Sequence, residues 1–526
     1  MASQRITIVF NTGGKTPVAE RVDAVGEALG IRLAPLFPDW TGDWAPASPP
    51  PSNFFFADAA TDSIDGYFQQ LRQNLDTWGV FQAYVPPPAR PAASTLKPPW
   101  MEDMPSSGGN LGRAPGLPDG STTPDFSGLQ GWHRGTGSWQ NYWLGDPGTS
   151  RGKGIRVADV EVDTRETHEA LQPNPLKGIQ PPQKTSAGAT KAALLNDIYA
   201  QSHGTAVAAI ICGENERAGI VGLSGVHGIA PESQLHIVRT TVGLATQTTP
   251  APISDAIKLA TTLLSAGDIL LIEMERQGPP APVELGIHVR SSLLGPPSME
   301  DMPSMEDMPS MEDMPTGQLH RFLPVEHLFE DWVAIYLATQ KGIIVIEAGG
   351  NGGENLDDEI YDYPPPEQWY PGYRWAGAGW NNPFRRAANY DSGAILVGAG
   401  APPRGMGGRD WGTYRSRLPQ SNYGSCVDAQ GWGRGIVTAG YGDLQGGVDP
   451  DQWYTDSFSG TSGAAAMVAG IVACFQSARG TAKLTSSTKV RSFLRSNTNG
   501  KAQMGDVTKN IGRMPHFDDL TEYKKP

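Results

Sequence analysis

The sequence predicts an α/β protein in which a doubly wound, mostly parallel sheet carries helices on both faces, preceded by a small α+β domain. Two patterns point to the larger unit. From Gly152 onward strands and helices alternate, and the strands are near-continuous apolar, β-branched runs of the kind buried on both faces. A third pattern points to the smaller unit, because residues 1–90 run strand, helix, strand, helix, strand.

In that first unit "RITIVFN", "NFFFADA" and "GVFQAYV" read as strands, while "VAERVDAVGEALG" and "IDGYFQQLRQNLDTW" read as helices. Residues 91–125 are rich in proline and glycine and read as an extended, solvated linker. The main domain is expected over 126–500. Its strands are "GIRVADVEV", "SQLHIVRT", "DILLIEME", "IIVIEAGG" and "AILVGAG"; "GTAVAAIICG", "ISDAIKLATTLLSAG" and "HLFEDWVAIYLATQKG" are the helices between them. The stretch "SMEDMPSMEDMPSMEDMPTG" is a tandem hexapeptide with a proline in every copy, which no packed helix or strand accommodates. A disordered insertion is therefore expected at 279–322, with a further "MEDMPS" copy at Met101–Ser106 in the linker. Residues 501–526 read as a C-terminal tail.

A formal net charge of -14 removes the basic surface that nucleic acid requires. Cys212, Cys426 and Cys474 have no metal-ligand spacing and imply no disulfide framework. The start lacks a basic region followed by an apolar core, and no apolar run approaches a membrane span. A soluble chain without a Sec signal, either cytoplasmic or secreted by another route, is expected, with no membrane partner.

Two stretches carry chemistry. In "HGTAVAAIICG" a histidine, His203, stands in front of a run suited to a buried helix. Alone it is more often a packed or capping residue than a catalyst. In "FSGTSGAAAMVAGIVACF" Ser462 stands at the mouth of a helix of small residues, where orphan N–H groups favour developing negative charge. Alone, it too reads as an N-cap.

Together, HGTAVA early and GTSGAA late resemble the subtilisin-like serine proteases, the S8 peptidases. "GIAPESQLHIVR", "EAGGNGG" and "QSNYG" follow in that family's order, so the likeness extends from about Gly152 to about Arg495. The resemblance implies that Ser462 is the nucleophile, with His203 its general base and then acid. It also implies that Asn351 donates its amide to the oxyanion, a role worth roughly 100- to 1,000-fold in a member of this family. No cofactor is required for catalysis; whether structural calcium is bound stays open. The partners implied are a protein or peptide substrate and the chain's own N-terminal domain as inhibitor.

The acid departs from the family, which usually shows DTG or DSG where this chain has "GIRVADVEVDTRETHEAL". Counting back from His168 or forward from Gly154 places Glu161 at the aspartate's position, with Asp159 and Asp163 on the same strand face. Glu161 is the expected orienting acid and Asp163 the alternative. The substrate wall departs as well. "LIEMERQGP" puts Glu275, Arg276, Gln277 and Gly278 along the strand where a peptide would be added, and Arg276 is expected to favour substrate carboxylates, the acidic MEDMPS copy among them. Ala466 stands where the family usually has proline.

The leading expectation is a serine endopeptidase acting through an acyl-enzyme. The altered acid and wall keep two alternatives open: a pseudo-protease that binds peptides, and a dedicated maturation protease for one precursor. The first ninety residues resemble the propeptide of these proteases, so self-cleavage is expected between about Pro86 and Asp125.

Overall fold

Among the described residues seven strands make the central sheet of this computed structural model, in the order Val427–Trp432, Ile395–Gly400, Ile344–Ala348, Ile269–Ile272, Arg156–Glu161, Gln234–Arg239, Lys177–Ile179. The structure describes residues 3–520 except 92–122, 138–150, 180–190, 241–251, 281–319, 362–374 and several shorter stretches. Every neighbouring pair in the sheet is parallel. Apolar runs such as "ILLI" and "IVIEA" form inner strands because both of their faces are buried. One face is covered by the helices Lys191–Cys212 and Gly460–Ala478, the other by Ile253–Leu263 and Phe329–Gln340.

The chain's strand order reverses around Arg156–Glu161, with later strands laid down on either side of it. Such a switch point opens a crevice at the carboxyl ends of the strands. Glu161 ends one strand and Asn351 follows the end of another, so the topology itself brings their loops together.

The N-terminal domain is a second sheet with Ser3–Phe10 between Phe54–Ala60 and Val80–Tyr84, all antiparallel. Its helices Val18–Leu29 and Ile64–Trp78 each end at a glycine in the left-handed region, Gly30 and Gly79. Strand alternation divides the labour. Ile6, Ile8 and Phe10 face the helices, whereas Arg5, Thr7 and Val9 face the larger domain. There Arg5 pairs with Asp255 at 3.0 Å, the Thr7 hydroxyl donates to Glu330 at 2.7 Å, and Val9 joins Phe329 and Trp332. A strand of the larger domain, Trp375–Gly377, completes the sheet's edge.

A separate three-stranded sheet has Met274–Pro280 at its centre, flanked antiparallel by His320–Pro324 and by Ala89–Pro91. The residues that close the N-terminal domain are thus laid along the expected substrate wall.

Several expectations change. The ends of the insertion expected at 279–322 are ordered strand, since Met274–Pro280 and His320–Pro324 pair with each other; the hexapeptide repeats lie outside the described residues. Most of the 91–125 linker also lies outside them, but Thr123 is buried and Asp125 bridges to Gly225. The 501–526 tail is corrected: Ile511 and Met514 are buried in the main core, and Lys501 pairs with Met514. Three buried apolar residues in a polar stretch, Ile511, Met514 and Phe517, dock it, too few to show as a periodic element. Gly460–Ala478 is long and apolar enough to cross a membrane by length and composition, contrary to the reading of the apolar runs, and it lies inside the core.

Candidate active site

Glu161, His203 and Ser462 meet at the crevice, each fully buried. Glu161 Oε2 lies 2.6 Å from His203 Nδ1, and His203 Nε2 lies 3.1 Å from Ser462 Oγ. The other Glu161 oxygen accepts from Val162 N at 2.6 Å, which fixes the carboxylate's angle. Phe458 packs edge-on to the imidazole, with ring centroids 5.5 Å apart.

Each side chain is placed by its element. His203 lies well inside its helix, which begins at Lys191, rather than standing in front of one. The helix can approach the acid strand only because residue 204 has no side chain. A Cβ on Gly204 would fall 2.2 Å from Thr164 Oγ1 and 2.6 Å from Glu161 Cγ. Gly204→Ala is therefore expected to destabilise the protein by about 1–3 kcal/mol through overpacking and to lower activity, as checked by thermal melting alongside kinetics. An unchanged Tm would show that the helix can shift freely. Ser462 lies in the first turn of Gly460–Ala478, and Gly460 has φ +91°, a value that favours glycine.

Asn351 is bound into the same corner. Its Oδ1 accepts from Thr461 N at 3.0 Å, one residue before Ser462, and Gly350 N donates to Thr461 Oγ1 at 3.1 Å. Asn351 N donates to Glu275 Oε2 at 2.8 Å, and its Nδ2 approaches the same oxygen at 3.4 Å. Asn422, from the "QSNYG" stretch but given no part by sequence reasoning, ties this loop down. Its amide donates to Gly349 O and Phe322 O, and its Oδ1 accepts from Gly352 N and Glu354 N.

Asp163, the alternative acid, is brought elsewhere. Arg239 takes it in an ion pair, and Gln201 donates to its second oxygen at 3.1 Å. Asp159 is buried one strand period behind Glu161, where burial and then the Glu161 charge hold its carboxyl well above the ordinary range. Glu273, which sequence reasoning missed, is also fully buried. Burial, Asp159 and Glu161 raise it in that order, with the Ser462 hydroxyl acting in the opposite sense. An acid inside the apolar strand run "DILLIEME" was the visible signal for Glu273. His168 is a structural residue: it accepts from Ala170 N at 3.1 Å and contacts Trp453 O at 2.8 Å, and burial lowers it to about 4.

The wall strand corrects one expectation. Arg276 does not offer itself to a substrate, because it is 3% exposed and its guanidinium is paired with the buried Asp331. Its neighbour Glu275 has the opposite strand parity and faces Asn351 instead. Gln277 pairs in register with Phe322, and Gly278 is buried beside it. Ala466 is buried within the serine helix, where proline is not needed to continue it. Among the described residues no group of three or more His, Cys, Asp or Glu could hold a metal ion.

Solved structures share this architecture. Fervidolysin from Fervidobacterium pennivorans, a keratinolytic enzyme related to subtilisin, is 15% identical with a TM-score of 0.52; the match covers 99% of this chain and 61% of that one. The epidermin leader peptide processing serine protease of Staphylococcus aureus is 12% identical with a TM-score of 0.53, and the match covers 100% of both chains. At these identities the likeness is one of fold. No curated protein sequence matches the chain. The Subtilase family matches residues 152–513, more than half of the length, and the chain belongs to that family of serine peptidases.

Proposed function

We propose that the protein is a serine endopeptidase whose nucleophile is Ser462. The observation that carries this reading is the unbroken contact from Glu161 through His203 to Ser462, three buried side chains delivered by three separate elements. Ser462 Oγ attacks the scissile carbonyl while His203 Nε2 takes its proton, and Glu161 holds the tautomer with Nδ1–H and stabilises the imidazolium. Asn351 Nδ2 turns from its long contact with Glu275 to the developing oxyanion. His203 then gives the proton to the leaving amine, and water hydrolyses the acyl-enzyme by the same route. A fluorophosphonate probe is expected to label the wild type and to leave Ser462→Ala unlabelled. An unlabelled wild type would overturn the mechanism.

A second reading, a peptide-binding module without catalysis, is favoured by one observation: both N–H groups of Asn351 are turned to Glu275. The same probe separates the two, since only an activated serine reacts.

The N-terminal domain is proposed to be an inhibitor that the enzyme removes. Its support is the pairing of Ala89–Pro91 with the wall strand, where a substrate would be added. Wild-type protein is expected to acquire a new N-terminus between about Pro86 and Asp125 while Ser462→Ala stays full length, as read by intact mass and N-terminal sequencing. A fully active yet uncut wild type would rule out removal.

A further inference from the structure

Glu275 is a fully buried carboxylate on the wall strand, in contact with the loop that carries Asn351. The only cation in that strand, Arg276, lies on the opposite face and is committed to Asp331. In the observed pairing Met274 lies opposite Pro91, Glu275 opposite Arg90, and Arg276 opposite Ala89. Residues directly opposite in an antiparallel pair present their side chains on one face, where opposite charges stabilise the pairing. A substrate strand added in this register therefore brings one residue opposite Glu275, beside the candidate oxyanion donor, and in the chain's own segment the residue at that register position is Arg90.

Resting on the protease reading, we infer that Glu275 selects substrates with arginine or lysine at the position in register with it, next to the scissile carbonyl. A carboxylate shielded from water and held by the Asn351 N–H gains a charge-assisted bond from a guanidinium or ammonium, whereas an apolar side chain offers it no bond and an acidic one meets repulsion. This reverses the preference that Arg276 suggested.

The test compares peptides carrying arginine or citrulline, which have nearly the same shape but differ in charge, at each position before the scissile bond. The full-length wild-type protein is used, after labelling has shown a reactive Ser462. Arginine is expected to be favoured about 10- to 100-fold in kcat/KM at one position only, and Glu275→Gln is expected to shrink that ratio to about twofold. Equal cleavage of the two peptides by labelled wild type would overturn the inference without any variant having to fold. A ratio that persists in Glu275→Gln would overturn the assignment to Glu275. A wild type that takes no label overturns the protease reading, and this inference falls with it.

Discussion

Ser462→Ala is expected to lower kcat by about 10⁶, and His203→Ala by the same order, a magnitude carried over from subtilisin, a member of the same family. The two losses should not add. Once either group is gone the other has nothing to activate or to deprotonate, so the double variant should be no slower than the single ones. Steady-state kinetics on peptides, with thermal melting as a control, checks this. Neither change removes a large apolar group, so the fold should survive. Purified Ser462→Ala that still turns over peptides would end the case for this nucleophile.

Glu161→Gln is the second large effect, expected at about 10⁴ in kcat, because an amide facing Nδ1 stabilises neither the correct tautomer nor the imidazolium. The 2.6 Å contact from Glu161 Oε2 to His203 is what it removes. Asp163→Asn is the internal control. Its carboxylate serves Arg239, is 24% exposed, and should contribute no more than about 1 kcal/mol to stability with little change in kcat. The reverse order of the two variants would move the acid to Asp163.

Where the sequence could be read and where it could not follows from how each feature is encoded. The strands Ile269–Ile272 and Ile344–Ala348 and the helix Ile253–Leu263 were legible because burial on two faces, or on one helical face, leaves a local pattern. The histidine helix was read too short: "KAALLNDIYAQS" continues it ahead of His203. The segment after Lys501 was read as a tail because its anchors, Ile511, Met514 and Phe517, are sparse and reach cores built by distant strands.

The site shows the same division. HGTAVA, GTSGAA and the altered acid strand named His203, Ser462 and Glu161 by type and order, because the chemistry needs a nucleophile, an imidazole and a carboxylate. Those motifs sit hundreds of residues apart in part, and it is the switch point of the sheet that closes the distance to 2.6 and 3.1 Å. Arg276 and Glu275 mark the limit. They are neighbours in sequence, and composition alone puts one cation and one anion on the wall. Which of them meets a substrate depends on strand parity and on a carboxylate, Asp331, brought by a helix fifty-odd residues later. The sequence by itself determined the fold class and the family, and it put His203 and Ser462 forward as the candidate base and nucleophile. Only the tertiary structure decided that Glu161 rather than Asp163 reaches the histidine, that Asn422 holds the loop of Asn351, and that Glu275 rather than Arg276 faces that loop, because each of these rests on contacts between elements that share no local pattern.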